Sequence, residues 1–366
     1  MGSKRYKKGC AAVACDELNP EENKELCYIE EAMPGFTRKK WGRGFTYFDS
    51  QSRRIRDGAV RKRIKRLVIP PAWTDVWICP LAQGHIQVRG RDARGRRQYI
   101  YHPRWVEMRQ RYKYDRLIDF GKALTRIRRQ VDADLKRPKL DLDKVSAVAV
   151  ALLDAARIRV GNREYERRNR SYGLTTLKDR HVEVRGSAIL IEFTGKSGRH
   201  QRIDLADRRL ARQVARCQEL PGQEVFQYLD ENGERRRLSS EDVNAYLGHA
   251  SGKPFTAKDM RTWWGTVLMA EALQSPDTED RKGGLGKQTA RAVRKVAEAL
   301  GNTAAVCRQY YIHPAVMAAL ESAGLADAFQ WADRHPPGVR AEALSRTERA
   351  VLRFLQSGGN APKKNS

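Results

Sequence analysis

The strongest constraint on the fold is a change of hydrophobic pattern part-way along the chain. Between residues 41 and 105, apolar residues come in short β-branched or aromatic runs at 44–48, 76–79, 85–89 and 98–102, separated by Gly, Pro, Asp and basic turns. That is the pattern of strands. Beyond Tyr112 the spacing lengthens to three and four, as in Val145, Val148, Ala149, Leu152, Leu153 and Ala156, or Ala290, Val293, Val296, Ala297 and Leu300. Such spacing buries one face of a helix. A basic amphipathic helix is expected at 117–129, then a connection through Asp141 in which Asp132, Asp134, Asp141 and Asp143 serve solvation and capping. Three strands return at 181–185, 188–193 and 199–205, and Arg235, Arg236 and Arg237 form a basic turn. The expected fold class is α+β: a small β-rich N-terminal domain at 31–112, then a mostly α-helical domain with a small three-stranded sheet at 113–355. Residues 1–30 and 356–366 lack a sustained apolar period and are expected to be flexible.

Charge narrows the partner. The 71 Lys and Arg against 44 Asp and Glu give a formal net charge of +27, which suits a polyanion whose condensed counterions are released on binding. There is no run of about 18 apolar residues to span a bilayer, and the basic start is not followed by the apolar core of a secretory signal. Cytoplasmic, nucleoid-associated residence is expected, without a membrane. The cysteines Cys10, Cys15, Cys27, Cys79, Cys217 and Cys307 form no CxxC pair and are expected as reduced thiols, Cys307 as a small buried apolar residue.

Nucleotide and metal chemistry find no support in the motifs. Thr194-Gly195-Lys196-Ser197 ends like a phosphate-binding loop, but Leu190 stands where the first glycine is required; Gly286-Lys287 has Arg281 and Gln288 at the positions of Gly and Ser/Thr. The alternating aspartates lack the glycine and glutamate of a calcium loop. No cofactor and no metal are expected.

What remains is a set of cations at places expected to be exposed. Arg159 follows a helix ending near Ala156. Lys196 lies at a hairpin tip between Gly195 and Gly198. Lys258 and Arg261 are three apart on a helix that Thr256 and Asp259 can cap. In the β-rich domain Arg89, Arg91, Arg94, Arg96, Arg97 and Gln98 crowd a turn beside Tyr99 and Tyr101, a mixture suited to holding phosphates while a polar side chain reaches base edges. A third stretch, Gly301 to Pro314, is a junction. Gly301 ends one helix, Asn302 or Thr303 caps a short second one, and Pro314 drives His313 out of the α region. Tyr310 and Tyr311 therefore fall in that helix's last turn.

In chain order these residues are Arg159 in IRVGN, Lys196 in FTGKSG, Lys258 and Arg261 in AKDMRTWWGT, Asn302 in LGNT and Tyr311 in CRQYYIHP. The series resembles the catalytic set of type IB DNA topoisomerases, in particular the small bacterial and poxvirus-like branch. The run IPPAWTDVWICPLAQGHIQVRGRDARGRRQYIYHPRW is similar to that branch's DNA-binding N-terminal domain. The resemblance implies that Tyr311 is the nucleophile: it lies nine residues after Asn302 and directly precedes Ile-His-Pro, as in the bacterial branch. It further implies that Arg159, Arg261 and Asn302 stabilise the phosphate oxygens, that Lys196 is the general acid and that Lys258 contacts the same phosphate. Arg89, Arg91, Arg96, Arg97, Gln98, Tyr99 and Tyr101 would bind DNA. Two departures stand out: Asn302 stands where viral and eukaryotic members carry His, which removes a possible cationic donor, and Tyr310 and Ala304 replace a small residue and a proline, which bears on local shape.

The implied activity is relaxation of supercoiled duplex DNA by transient single-strand cleavage through a 3′-phosphotyrosyl intermediate, without ATP, by a monomer clamping the duplex. A tyrosine recombinase is the nearest alternative, with HxxR in place of KxxR and a helical arm-binding domain. A non-catalytic basic DNA binder is the alternative from another class.

Overall fold

The structure, a computed structural model, describes residues 26–274, 284–321, 323–337 and 344–358. Cys10, Cys15, Arg281, residues 1–25 of the expected extension and 359–366 of the expected tail lie outside them. The chain divides into two compact units, Met1–Tyr114 and Asp115–Ser366.

In the first unit β1 (Phe36–Trp41), β2 (Gly44–Phe48), α1 (Gly58–Arg66), β3 (Thr74–Ile78), β4 (Ile86–Arg91) and β5 (Arg97–Tyr101) follow in order. The strands form one antiparallel sheet, β2-β1-β3-β4-β5. Ile64 of α1 packs on Val76, Ile78 and Val88, flanked by Trp73 and Ile100. Each such side chain contributes about 1.5–3 kcal/mol by leaving water. Strand β1 and helix α1 were not foreseen. FTRKKW is half basic and α1 has Ile64 as its one buried residue, so neither shows an apolar period. Residues Cys27 to Ile29 correct the expected extension: Cys27 N–H donates to Gln83 O at 2.8 Å, Ile29 N–H to His85 Nδ1 at 2.9 Å, and Ile29 is buried.

Next comes α2 (Pro103–Asp134), which starts well before the expected 117 and absorbs Asp132 and Asp134. Its inward stripe is Leu117, Phe120, Leu124, Ile127 and Val131, and Gly121 lies flat against Trp263, where a Cβ would be 2.6 Å from the indole. Asp134 is not a linker carboxylate but a buried acceptor for Tyr246 Oη at 2.7 Å. Asp141 does cap α3 (Leu142–Ala156), accepting from Lys144 N–H. Lys144 itself is buried, and its ammonium donates to the Leu135 and Arg137 carbonyls past the end of α2, where the helix dipole favours a cation.

The remaining elements are α4 (Arg163–Asn169), β6 (Val182–Arg185), β7 (Ala188–Thr194), β8 (His200–Ala206), α5 (Arg208–Gln218), β9 (Gln227–Leu229), β10 (Arg235–Arg237), α6 (Ser240–Ser251), α7 (Ala257–Gln274), α8 (Leu285–Ala299), α9 (Ala304–Tyr310), α10 (Pro314–Met317), α11 (Gly324–Arg334) and α12 (Arg346–Gln356). Strands β6-β7-β8 make the expected three-stranded sheet, while Arg235–Arg237 pair with β9 as a strand rather than a turn. The fold is α+β, with a β-rich first unit and a mostly helical second one. No helix among the described residues is long and apolar enough to cross a membrane.

Candidate active site

Helix α3 ends on Arg157, which takes the left-handed conformation at φ 56° and closes the helix by donating to Leu153 O. The chain then turns so that Arg159 meets the Gly301–Asn302 loop. Arg159 Nη2 donates to the Asn302 side-chain oxygen and, at 3.3 Å, to Gly301 O. Gly301 has φ 57°, as its place just past α8 requires, and Thr303 rather than Asn302 caps α9. Asn302 is buried; its Nδ2 finds no acceptor among the described residues.

Arg261, on the second turn of α7, corrects the expectation of an exposed cation. It is 6% exposed, with Nη1 donating to Arg157 O and Nη2 to Leu300 O, each at 2.6 Å. These bonds tie the ends of α3 and α8 to α7. Burial, reinforced by the Arg159 charge, pushes its pKa down to about 10. Burial likewise lowers that of Arg159, with the nearby Arg199 charge adding to the effect.

Tyr311 closes α9, its N–H donating to Cys307 O at 2.9 Å, and its ring lies 5.3 Å from the Arg261 guanidinium carbon. Cys307 is buried, and desolvation raises its pKa, so it is a packing residue as expected. His313 N–H donates to Thr266 Oγ1 at 3.1 Å and its ring caps α10 at Pro314. The tyrosine is thereby fixed between two anchored turns.

Arg159, Lys196, Lys258, Arg261 and Tyr311 line one cleft of about 250 Å³, with Asn162, Tyr165, Ser171 and Tyr172. Asn302 stands behind Arg159, outside this lining. Tyr310 does not line it either and is 46% exposed. Lys196 Nζ hangs over the Tyr165 ring at 5.6 Å. The lining holds four cationic side chains and no carboxylate. Cations drawn out of water are costly without a counter-charge. Elsewhere in the same unit the burden is met differently: Arg128 is matched by Asp154 and buried Glu348, each at 2.8 Å. The cleft leaves its counter-charge to be supplied by an anion.

Residues 102–331 match the family described as eukaryotic DNA topoisomerase I, catalytic core, and residues 44–92 match bacterial DNA topoisomerase IB, N-terminal domain. The chain belongs to the type IB DNA topoisomerases. DNA topoisomerase 1B of Acanthamoeba polyphaga mimivirus is 30% identical over 76% of this chain and 85% of its own. DNA topoisomerase 1B of Vaccinia virus (strain Copenhagen) is 24% identical over 71% and 82%. A solved XerH site-specific recombinase bound to difH substrate aligns at a TM-score of 0.34, with 13% identity over 52% of this chain and 48% of that one, and carries no weight here.

In this topoisomerase the other expected cluster lies on the hairpin of β4 and β5. Cross-strand pairs Arg89 with Tyr99 and Arg91 with Arg97 put those residues on one face of the sheet, and Tyr101 joins them by alternation. The Tyr99 and Tyr101 rings stack at 5.9 Å. Arg89 lies 3.9 Å over the Trp77 ring, Arg97 bonds Glu31 at 2.7 Å and Arg91 bonds Gly95 O at 3.0 Å. Gln98 pairs with Gly90 and belongs to the opposite face, which separates it from Tyr99 and Tyr101. Its amide donates to Asp92 at 2.9 Å, and Arg96 bonds the same carboxylate at 2.8 Å, holding its pKa down at about 2.

Four contributors leave little trace in the sequence. Tyr165 and Tyr172 lacked a motif. Gly265 stands mid-helix, where glycine is disfavoured by about 1 kcal/mol, and that cost was the available signal. The carbonyl of Arg157 acts through its oxygen alone, which no side-chain pattern reveals.

Proposed function

We propose that this topoisomerase relaxes supercoiled duplex DNA by cutting and resealing one strand through a 3′-phosphotyrosyl intermediate, as a monomer, without ATP or metal. The observation that carries this reading is a cleft whose charged side chains are four cations, with Tyr311 in its wall. The Tyr311 oxygen bonds to a backbone phosphorus while the bond from phosphorus to the 5′ oxygen breaks. The phenolic proton passes to water, and Lys196 gives a proton to the leaving oxygen. Charge growing on the non-bridging oxygens is met by Arg159 and Arg261, which are already desolvated and oriented by main-chain carbonyls. Donors set in place beforehand are worth about 3 kcal/mol each. The Asn302 amide, with its oxygen engaged by Arg159, has its nitrogen to offer a phosphate oxygen; Lys258 contacts the same phosphate. The ester keeps the energy of the broken bond, so reversal reseals the strand.

On the β4–β5 hairpin, Arg89, Arg91, Arg96 and Arg97 exchange exposed intramolecular pairs, each worth little, for phosphates. Tyr99 and Tyr101 offer a stacked apolar surface beside them, and Gln98 contributes from the opposite face through the turn it organises. Action on the chromosome places the protein with the nucleoid in the cytoplasm.

The test is relaxation of supercoiled plasmid in EDTA without ATP. Wild type and Tyr310→Phe should give a ladder of topoisomers, and Tyr311→Phe none. Loss in Tyr310→Phe with retention in Tyr311→Phe would assign the nucleophile to the other tyrosine. Binding without relaxation by any of the three would leave a non-catalytic binder.

A further inference from the structure

The hairpin carrying Lys196 is joined to the loop carrying Asn302 by two side chains with no assigned role. Strands β7 and β8 close on a tight tip: Gly195 N–H donates to Arg199 O at 2.7 Å and Gly198 N–H to Gly195 O at 3.2 Å. Ser197, between them, takes φ 67°, a conformation uncommon outside glycine. Lys196 is exposed on this tip. At the base of the tip the Arg199 guanidinium donates from Nη1 to the main-chain oxygen of Asn302. Two residues further on, in β8, Gln201 lies so near Gly301 that a Cβ on the glycine would be 2.3 Å from its side-chain oxygen. The end of the tip and the start of the second strand therefore touch consecutive residues of the loop that holds Arg159.

We propose that Arg199 is a positioning residue that latches the Lys196 hairpin to the Gly301–Asn302 loop, keeping the proton donor in register with Arg159 and Asn302. The inference rests on the reading of Lys196 as general acid. A proton donor acts only within hydrogen-bond reach of the leaving atom, and a displacement of about 1 Å can cost about a hundredfold in rate. The Tyr165 ring alone leaves Lys196 free to swing; the Arg199 bond fixes the base of the tip from which it projects. Arg199 needs no contact with DNA for this.

The two roles separate in a single-turnover cleavage assay with two duplexes, one having the natural 5′ oxygen at the scissile phosphate and one a 5′ sulfur. A thiolate of pKa about 8.5 departs without a proton, so a defect in proton delivery disappears with sulfur whereas a defect in folding or oxygen stabilisation persists. Arg199→Ala should slow cleavage of the oxygen substrate by about 10- to 100-fold and the sulfur substrate by less than about threefold. Arg199→Lys, which still donates to the Asn302 carbonyl, should recover part of the loss. Lys196→Ala is the control and should show the same pattern more strongly. Equal slowing of Arg199→Ala on both substrates, with Lys196→Ala rescued by sulfur, overturns the latch alone, as does an unimpaired Arg199→Ala on oxygen. If sulfur fails to rescue Lys196→Ala, the general-acid reading falls and the latch with it. A melting curve for each variant keeps unfolding apart from these outcomes.

Discussion

A Cβ placed on Gly265 would stand 2.3 Å from the carbonyl oxygen of Tyr311 and 3.0 Å from its Cβ. Gly265 lies one turn beyond Arg261 on α7, so the bare helix surface there lets the backbone of the proposed nucleophile settle beside the cation. Any side chain must push the two apart. Gly265→Ala is expected to cost about 1–3 kcal/mol in stability and about a hundredfold in strand cleavage, measured by thermal melting and by covalent-complex formation on a short duplex. Retention of full cleavage would show that the tyrosine does not depend on this approach.

Arg261 spans two carbonyls with two nitrogens of one planar group, which a lysine cannot reproduce. Arg261→Lys should therefore lower both cleavage and resealing by about 10²- to 10³-fold. It should also reduce the melting temperature, because the Arg157 and Leu300 oxygens lose a donor. A variant with normal stability and normal rates would remove Arg261 from the site.

Glu348 is 1% exposed and bonds Arg128 Nη2 at 2.8 Å and Nη1 at 3.0 Å, with Trp263 Nε1 and Ser345 N–H also donating to it. Burial alone would raise its pKa, but the Arg128 bonds outweigh burial and hold it below the ordinary 4.5. A carboxylate depressed on folding contributes stability that is present in full above its unfolded pKa and is lost as pH falls through the folded value. Glu348→Gln should thus cost about 3 kcal/mol near neutrality. Its deficit against wild type should shrink as pH falls below 4.5. Melting curves taken across that range test the sign; a deficit that grows on acidification would contradict it.

Arg91 and Arg97 face each other across β4 and β5. If both exchange their partners for phosphates, the double alanine variant should weaken binding equally for unrelated duplex sequences. The slope of log K against log salt should fall by about 1.8, at 0.9 for each lost contact. Titrations at several salt concentrations measure this, and an unchanged slope would take these arginines out of the interface.

The helix ends around the cleft, and the four cations and Tyr311 that line it, were legible because several left a local mark. Gly301 stops a helix, Pro314 starts one, and Lys196 is flanked by glycines at a strand reversal. Exposure was not legible. Arg261 and Lys258 look alike three residues apart, yet one is buried among carbonyls from two other helix ends and the other remains in water. That difference is made by residues 104 and 39 positions away in the chain. The same holds for Asp134, polar by composition but needed inside by Tyr246. In the first unit β1 was hidden because its residues are basic, and Gln98 was grouped with its chain neighbours although the pleat of the strand puts it on the other face.

The match to the catalytic core stops at residue 331, whereas α12 begins at Arg346. Trimming a recombinant fragment to that alignment boundary would take away the carboxylate that steadies Arg128 and the indole of Trp263, on whose neighbour Trp264 the Arg157 guanidinium rests at 4.6 Å. The last helix among the described residues is a keystone rather than an appendix: the oxygen that orients Arg261 belongs to Arg157, so the proposed site at Tyr311 is propped from behind by a segment outside the cleft lining.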